Sequence, residues 1–314
     1  RLYNVLKTVR ERSKLKRIIV SNIKEALPPI MGLLFTLLKE KKEGHHLDAL
    51  ADGDLWMKDL LEKHKNSPRP NSTVTPDDIA LFQYSGGTTG VPKGAVAMHR
   101  NVVANTMQMR AWFVNSEDGK EIYLMGIPLF HVYGMVAGMS VAMAMGASMV
   151  MVPNARDLKD VLENITKHKA TIFPGVPLLY NGINNHPDVK AGKYDLSSIK
   201  ACISGSAPLM RETKEQFEKL TGGKVFEGYG LSEAPTATHC NPLLGVNKTG
   251  SIGMPLPDVE VKIISLDDGE TEMPEGEIGE LVVHGPQVMK GYHNMPTETA
   301  NTLRQLKDGK TWLF

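Results

Sequence analysis

Between about residues 76 and 250 short apolar runs alternate with helical patterns, and this rhythm constrains the fold more than any other feature. The runs fall at 79–83, 122–127, 148–152, 171–174, 201–204 and 224–227, and helical periodicity falls at 99–112, 134–145, 157–168 and 209–221. Strands joined through helices predict an α/β fold, with multi-layered, parallel-rich sheets covered by helices. After 250 the rhythm changes. Strand candidates at 259–265 and 280–284 are separated by Asp, Gly, Pro and Glu, with no helix between them. That pattern predicts antiparallel structure, the start of a small β-barrel. Three segments follow from these shifts: 1–75, 76–250 and 251–314.

Length and charge narrow the function classes. At 314 residues the chain has room for about two domains. It carries 36 Lys/Arg against 35 Asp/Glu, a net charge of +1, so no global field draws it to nucleic acid. The basic start (Arg10, Arg12, Lys14, Lys16 and Arg17) has no aromatic platform beside it. It reads as a solvated helix running into a buried strand at 17–20. Cys202 and Cys240 make no disulfide framework and suit a reducing, cytoplasmic setting.

Two apolar stretches are weighed against a membrane. Ile30-Met31-Gly32-Leu33-Leu34-Phe35-Thr36-Leu37-Leu38 is too short to span a bilayer. It permits peripheral contact with the inner membrane face, but a packed helix is the stronger reading. Residues 134–153 contain no charged residue, yet they are mostly Gly, Ala, Ser and Met. They read as a buried helix with Met135, Met139 and Met143 on its core face, then a break at Gly146 and a buried strand ended by Pro153. Neither stretch is read as a transmembrane span.

The strongest local signal is Tyr84-Ser85-Gly86-Gly87-Thr88-Thr89-Gly90-Val91-Pro92-Lys93-Gly94, directly after a strand candidate. Glycines leave backbone N–H groups free to converge on an anion. Ser85, Thr88 and Thr89 add hydroxyls and Lys93 adds a positive charge, a mixture suited to triphosphate oxygens. The P-loop spacing is not met, because Lys93 lies three places after Gly90 and Gly94 stands where Ser or Thr is required.

This loop resembles the signature of the adenylate-forming enzymes: acyl-CoA synthetases, luciferases and peptide-synthetase adenylation domains. Four further segments resemble that superfamily's motifs in the same order. They are Pro128-Leu129-Phe130-His131-Val132-Tyr133-Gly134; Ser204-Gly205-Ser206-Ala207-Pro208; Glu227-Gly228-Tyr229-Gly230-Leu231-Ser232-Glu233; and Gly279-Glu280-Leu281-Val282-Val283-His284-Gly285 with Lys290-Gly291-Tyr292. Within the superfamily the segment before the loop looks most like bacterial long-chain fatty-acid–CoA ligases. The resemblance implies ATP-dependent activation of a fatty acid to an acyl-adenylate, followed by transfer to CoA. It makes 1–75 the remainder of an N-terminal subdomain and 76–250 the nucleotide- and acyl-binding part.

By the same resemblance, Ser85, Gly86, Gly87, Thr88, Thr89, Gly90 and Lys93 grip phosphate. Tyr229, between Gly228 and Gly230, stacks on adenine, while Gly205, Ala207 and Pro208 line its other side. Ser232 touches the α-phosphate and Glu233 holds Mg²⁺. His131 sits at the acyl carboxylate. Bland alternatives stand beside these roles: His131 as a loop histidine, and Glu233 as the cap of a helix starting near Ala234. The glycines around Tyr229 suggest that something flat approaches its ring closely. His239-Cys240 lacks companions at metal-ligand spacing and gives no zinc site.

Other classes remain on the table. An aryl acid of the 4-coumarate kind is an alternative substrate. Gly230-Leu231-Ser232-Glu233-Ala234 is one residue from a nucleophile elbow, but Pro235 follows and no acid and base come after it in order. A non-catalytic nucleotide-binding module is the third class. The superfamily's acidic ribose motif, hinge and mobile C-terminal domain with its lysine do not occur between Arg1 and Phe314. The chain begins at Arg1 rather than Met and stops on the apolar run Thr311-Trp312-Leu313-Phe314, so both ends read as truncations, and with those motifs missing little turnover is expected from this chain alone. Oligomeric state is not legible.

Overall fold

A computed structural model describes residues 2–85 and 91–314. It separates into two compact units, Arg1–Thr73 and Val74–Phe314. The first contains α1 (Tyr3–Glu11), β1 (Ile19–Val20), a 3₁₀ turn (Ile23–Ala26), α2 (Pro29–Leu38), β2 (Leu55–Trp56) and α3 (Met57–Lys63). β1 and β2 pair in parallel. Asp54 ties the unit together by accepting bonds from the Tyr3 hydroxyl (2.7 Å), the Arg10 guanidinium (2.6 Å) and the Ile18 N–H (3.0 Å). Those bonds hold its carboxyl below the usual range against the opposing effect of burial. Of the strand expected at 17–20, Ile18 is buried but Ile19 is exposed.

The second unit opens with a hairpin of β3 (Ile79–Ser85) and β4 (Lys93–Met98), then α4 (His99–Trp112) and β5 (Ile122–Met125). A π-helix (Tyr133–Ser140) runs into α5 (Val141–Ala144) and β6 (Ser148–Met151). Next come α6 (Leu158–His168), α7 (Pro177–Asn185), α8 (Pro187–Lys190), β7 (Ala201–Ser204), α9 (Arg211–Thr221) and β8 (Lys224–Tyr229). β9 (His239–Cys240), β10 (Met254–Pro255), β11 (Glu260–Ile264), β12 (Glu280–His284), β13 (Gly291–Tyr292), α10 (Pro296–Thr302), β14 (Leu303–Gln305) and β15 (Thr311–Leu313) complete it.

Parallel pairing joins β6 to β5 and β7 to β8, and parallel bridges carry residues 172–175 between β5 and β7. The spatial order is therefore β6, β5, 172–175, β7, β8, extended antiparallel by β9 and β10. Read in sequence order, the five parallel segments run 2-1-3-4-5. That order reverses direction between β5 and 172–175, the kind of switch point where open α/β sheets bind ligands beyond the carboxyl ends of their strands.

Successive residues on these strands enter opposite cores. Tyr123, Ile172, Ile203 and Phe226 face a layer with Met109, Phe113 and Val141. Leu124, Phe173, Cys202 and Val225 face a layer with Val161, Leu162, Ile165, Tyr180 and Phe217. Burial on both faces is why these strands read as continuous apolar runs.

Three sequence expectations need correction. Met143 is exposed, and Met135 and Met139 are only partly buried. The π-helical turn rotates the face, so Val136, Ala137, Val141 and Ala142 enter the core instead. β6 pairs only with β5 and exposes Met149 and Met151, as an edge strand does. β4 and α7 were not expected, since Gly94 and Gly182 interrupt their patterns. The last four-stranded sheet, ordered β11-β12-β15-β14, is antiparallel as expected, but it forms no closed barrel among the described residues. No helix among them is long and apolar enough to cross a membrane.

Candidate functional site

The parallel strands deliver the expected site residues to their carboxyl ends. β8 ends in Gly228-Tyr229, β7 runs into the turn Gly205-Ser206-Ala207-Pro208, and the connection after β5 carries His131. Ser206 takes a left-handed backbone (φ 70°), a conformation that costs a non-glycine residue about 1–3 kcal/mol and clusters at binding turns. The Tyr133 hydroxyl holds the crevice together by donating to the carbonyls of Gly175 (3.0 Å) and Ile203 (2.6 Å). Burial pushes its pKa up, so it stays a donor.

Two cavities flank Tyr229, a residue 39 % exposed. The first, about 240 Å³, is lined by His131, Gly205, Gly228, Tyr229, Gly230 and Ser232, with Met109, Ala137 and Ile203 as apolar wall. The second, about 400 Å³, is lined by Ala207, Pro208, Gly228, Tyr229 and Gly230, with Ser204 and Ile252. The Ser204 hydroxyl is buried there with no hydrogen-bond partner. An orphan donor at a cavity wall is a group a ligand can satisfy. His131 Nδ1 accepts from the Tyr133 N–H (3.2 Å), which assigns the ring proton to Nε2.

Lys93 and Glu233 line neither cavity; they meet at a third place. The Tyr292 hydroxyl donates to Glu233 Oε1 (2.7 Å), and Lys93 Nζ lies 5.4 Å from the centre of the same ring. Burial and the Glu233 carboxylate both push the Tyr292 pKa up. Strand pairing builds this junction: Ser85 is in register with Lys93, and Tyr292 with Ala95. Gly86, Gly87, Thr88, Thr89 and Gly90 lie outside the described residues. No helix begins near Ala234, so Glu233 caps none.

The glycines beside Tyr229 have a reason different from the one the sequence suggests. A Cβ on Gly230 would lie 1.6 Å from the Thr236 carbonyl oxygen, and one on Gly228 would lie 3.2 Å from Ile203 Cγ2. The chain folds back on itself at Gly230, and its own backbone, not a ligand, demands glycine.

Sequence reasoning missed the residues that fix this return. Asn105 is fully buried on α4. It donates to the Ala237 carbonyl (2.6 Å) and accepts from the N–H groups of Thr236 (2.7 Å) and Ala237 (3.1 Å). Gln108 donates to the Pro257 carbonyl (2.6 Å), and Trp112 Nε1 donates to the Asn241 carbonyl (3.0 Å). The available signal was a run of amides, Asn101, Asn105 and Gln108, on one face of an otherwise packed helix. His239 was also missed as a wall of the first cavity. Its ring meets Tyr229 edge-on at 6.1 Å, and burial pushes its pKa down to about 4, so it is neutral.

Comparison with known proteins agrees with this architecture. The chain is 44% identical over 299 residues to a long-chain-fatty-acid–CoA ligase of Bacillus subtilis, a match covering 95% of this chain and 52% of that protein. It is 32% identical over 322 residues to a protein of the same name from Salmonella typhimurium, covering 99% and 54%. The solved structure of a long-chain-fatty-acid-CoA ligase from Archaeoglobus fulgidus superposes with a TM-score of 0.74 at 25% identity, covering 95% of this chain and 58% of that one. The chain spans about half the length of the curated relatives it matches. The family described as AMP-binding enzyme matches residues 6–293, and the chain belongs to that family.

Proposed function

We propose that the chain supplies the nucleotide- and acyl-binding part of an ATP-dependent fatty-acid–CoA ligase acting on long acyl chains. One observation carries the reading: Tyr229 stands between a cavity with the 206–208 turn and a cavity with His131 and an apolar wall. Adenine fits the first side, stacked on Tyr229 against Ala207 and Pro208. The acyl group fits the second, with its carboxylate near His131 Nε2 and the α-phosphate near Ser232. We assign the site to 76–250, with 251–314 contributing the Tyr292 support.

In such a site a carboxylate oxygen attacks the α-phosphorus and pyrophosphate leaves. The CoA thiol then attacks the acyl carbon and AMP leaves. The chain's part is to hold the reacting atoms in line and to meet developing charge with fixed donors. Lys93, with Ser85 and the glycine-rich stretch 86–90, is assigned to the β- and γ-phosphates.

Glu233 suits a hard cation. Tyr292 occupies Oε1 and leaves the second carboxylate oxygen. No group of three or more His, Cys, Asp or Glu converges among the described residues, so phosphate oxygens would complete the shell, as Mg²⁺ prefers. Mg²⁺ held there would neutralise phosphate charge.

Calorimetry with AMP and with stable acetyl-, dodecanoyl- and coumaroyl-adenylate analogues tests the reading. The dodecanoyl form should bind tightest, gaining up to about 0.8 kcal/mol per buried methylene. Tyr229→Ala should cost every ligand about 1–3 kcal/mol. Equal affinity for all acyl forms and AMP would remove the acyl assignment, and coumaroyl preference would make the substrate an aryl acid. Unchanged affinity in Tyr229→Ala would move adenine elsewhere.

A further inference from the structure

The cavity assigned to the acyl group is too small for a long chain. It measures about 240 Å³. By the measure that a dry cavity of about 150 Å³ holds a benzene ring, it has room for about ten carbons. Seating the carboxylate beside His131 and Ser232 lowers that number.

A second cavity lies on the same face of the sheet, at the amino ends of the parallel strands. It measures about 130 Å³, room for about five carbons more. Four elements among the described residues line both cavities. α4 gives Met109 to the first, and the turn after it gives Ser116 to the second. β7 gives Ile203 and Ala201, β8 gives Gly228 and Phe226, and the stretch from β9 gives Cys240 and Leu243. The apolar members pack in one core layer. On β7 and β8 the two linings are two residues apart, about 7 Å of strand.

One side chain closes that gap. Ala137, Ala237 and Cys240 are small, and Ile203 is β-branched and fixed in a central strand. Trp112 is held by its bond to the Asn241 carbonyl, and Phe113 packs against Tyr123 with ring centres 6.5 Å apart. α4 itself is tied to backbone by Asn105 and Gln108, so a side chain must yield rather than the helix. Met109 is 4 % exposed and, among the described residues, is the one unbranched, flexible side chain in the wall of the first cavity.

We propose that Met109 is the movable stop that sets acyl-chain length: chains of about ten carbons or fewer end against it, and longer ones swing it aside and run on into the cavity at Ser116 and Leu243. The inference rests on the ligase reading and adds the residue that measures the chain.

Calorimetry on the whole chain with octanoyl- and hexadecanoyl-adenylate analogues, with AMP as baseline, tests it. In the parent chain hexadecanoyl should bind tighter than octanoyl. Met109→Ile nearly keeps the volume but stiffens the side chain. It should weaken hexadecanoyl at least about tenfold and octanoyl no more than about threefold, since each methylene left unburied costs up to about fourfold. Ser116→Trp, which fills the second cavity from its partly exposed rim, should produce the same split. Thermal melts matching the parent chain would show that both variants fold. Octanoyl binding no tighter than AMP in the parent would defeat the ligase reading and this inference with it. Octanoyl binding tighter than AMP would leave that reading standing. In that case Met109 is not the stop if hexadecanoyl gains nothing over octanoyl, or if the hexadecanoyl-to-octanoyl ratio fails to fall in both variants.

Discussion

The two faces of the central sheet are built from different chemistry. On one, α6, α7 and α9 bring Val161, Leu162, Ile165, Tyr180 and Phe217 against Leu124, Phe173 and Val225. Aromatic edges interlock there, with Tyr180 and Phe217 ring centres 4.9 Å apart. On the other, α4 packs Met109 and Phe113 into the core but turns Asn105 and Gln108 toward backbone at 236–237 and 257. The first face holds the sheet by area removed from water. The second also spends directional bonds on holding the return that follows Tyr229 and Glu233. Stability and site geometry are thus separable by side.

Substitution on each side tests that separation. Asn105→Ala leaves two N–H groups and one carbonyl without partners, all buried. At about 1–3 kcal/mol per orphaned group, a loss of about 3–5 kcal/mol in denaturant unfolding is expected, along with weaker AMP binding in the surviving fold. Leu162→Ala, on the other face, should cost about 3 kcal/mol as a cavity and leave AMP affinity unchanged. If Leu162→Ala weakened AMP as much as Asn105→Ala did, the faces would not be separable.

The faces should also differ in response to acid. Tyr180 and Cys202, in the core on the α6 side, have pKa values raised by burial and stay neutral through the acid range. His239, at the site, has its pKa pushed down to about 4 from an ordinary value of about 6.5. Protonation therefore favours the unfolded chain. His239 contributes stability above pH 6.5 that is lost as pH falls toward 4, about 3 kcal/mol in all. Unfolding measured across that window should show the slope, and His239→Gln should flatten it. A slope unchanged in the variant would assign the acid sensitivity to carboxylates.

Sequence made the apolar side legible and the polar side opaque. Strands at 122–125, 148–151, 201–204 and 224–229 and helices at 99–112, 158–168 and 211–221 follow from runs and periods, because burial on two faces writes itself as hydrophobicity. Asn105 could not be found that way: the amide run on its helix marks a polar face, but its backbone partners lie 131 and 132 residues away and leave no trace beside it. The sequence around Gly230 points to a ligand rather than to Thr236, since that contact depends on how the chain returns. The Met135, Met139 and Met143 face failed because a π-helical turn breaks the 3.6-residue period. α2 failed differently: its period is intact, but Ile30, Leu33 and Leu37 are exposed rather than packed, and what a helix faces is not in its sequence.

The junction at Tyr292 gives the smallest and sharpest test of the polar side. Its hydroxyl makes one charge-assisted bond to Glu233, and its ring lies beneath Lys93. Tyr292→Phe keeps the ring, and so the contact with Lys93, while deleting the bond. Glu233 is only partly buried, so water can replace the donor. A stability cost of about 1 kcal/mol is expected. If Tyr292 serves to orient Glu233 for a cation, the larger effect should appear in Mg²⁺-dependent ATP binding, with metal-free AMP affinity unchanged. Equal weakening of both ligands would make the bond a brace for the 233–237 segment, placing Tyr292 beside Asn105 in function.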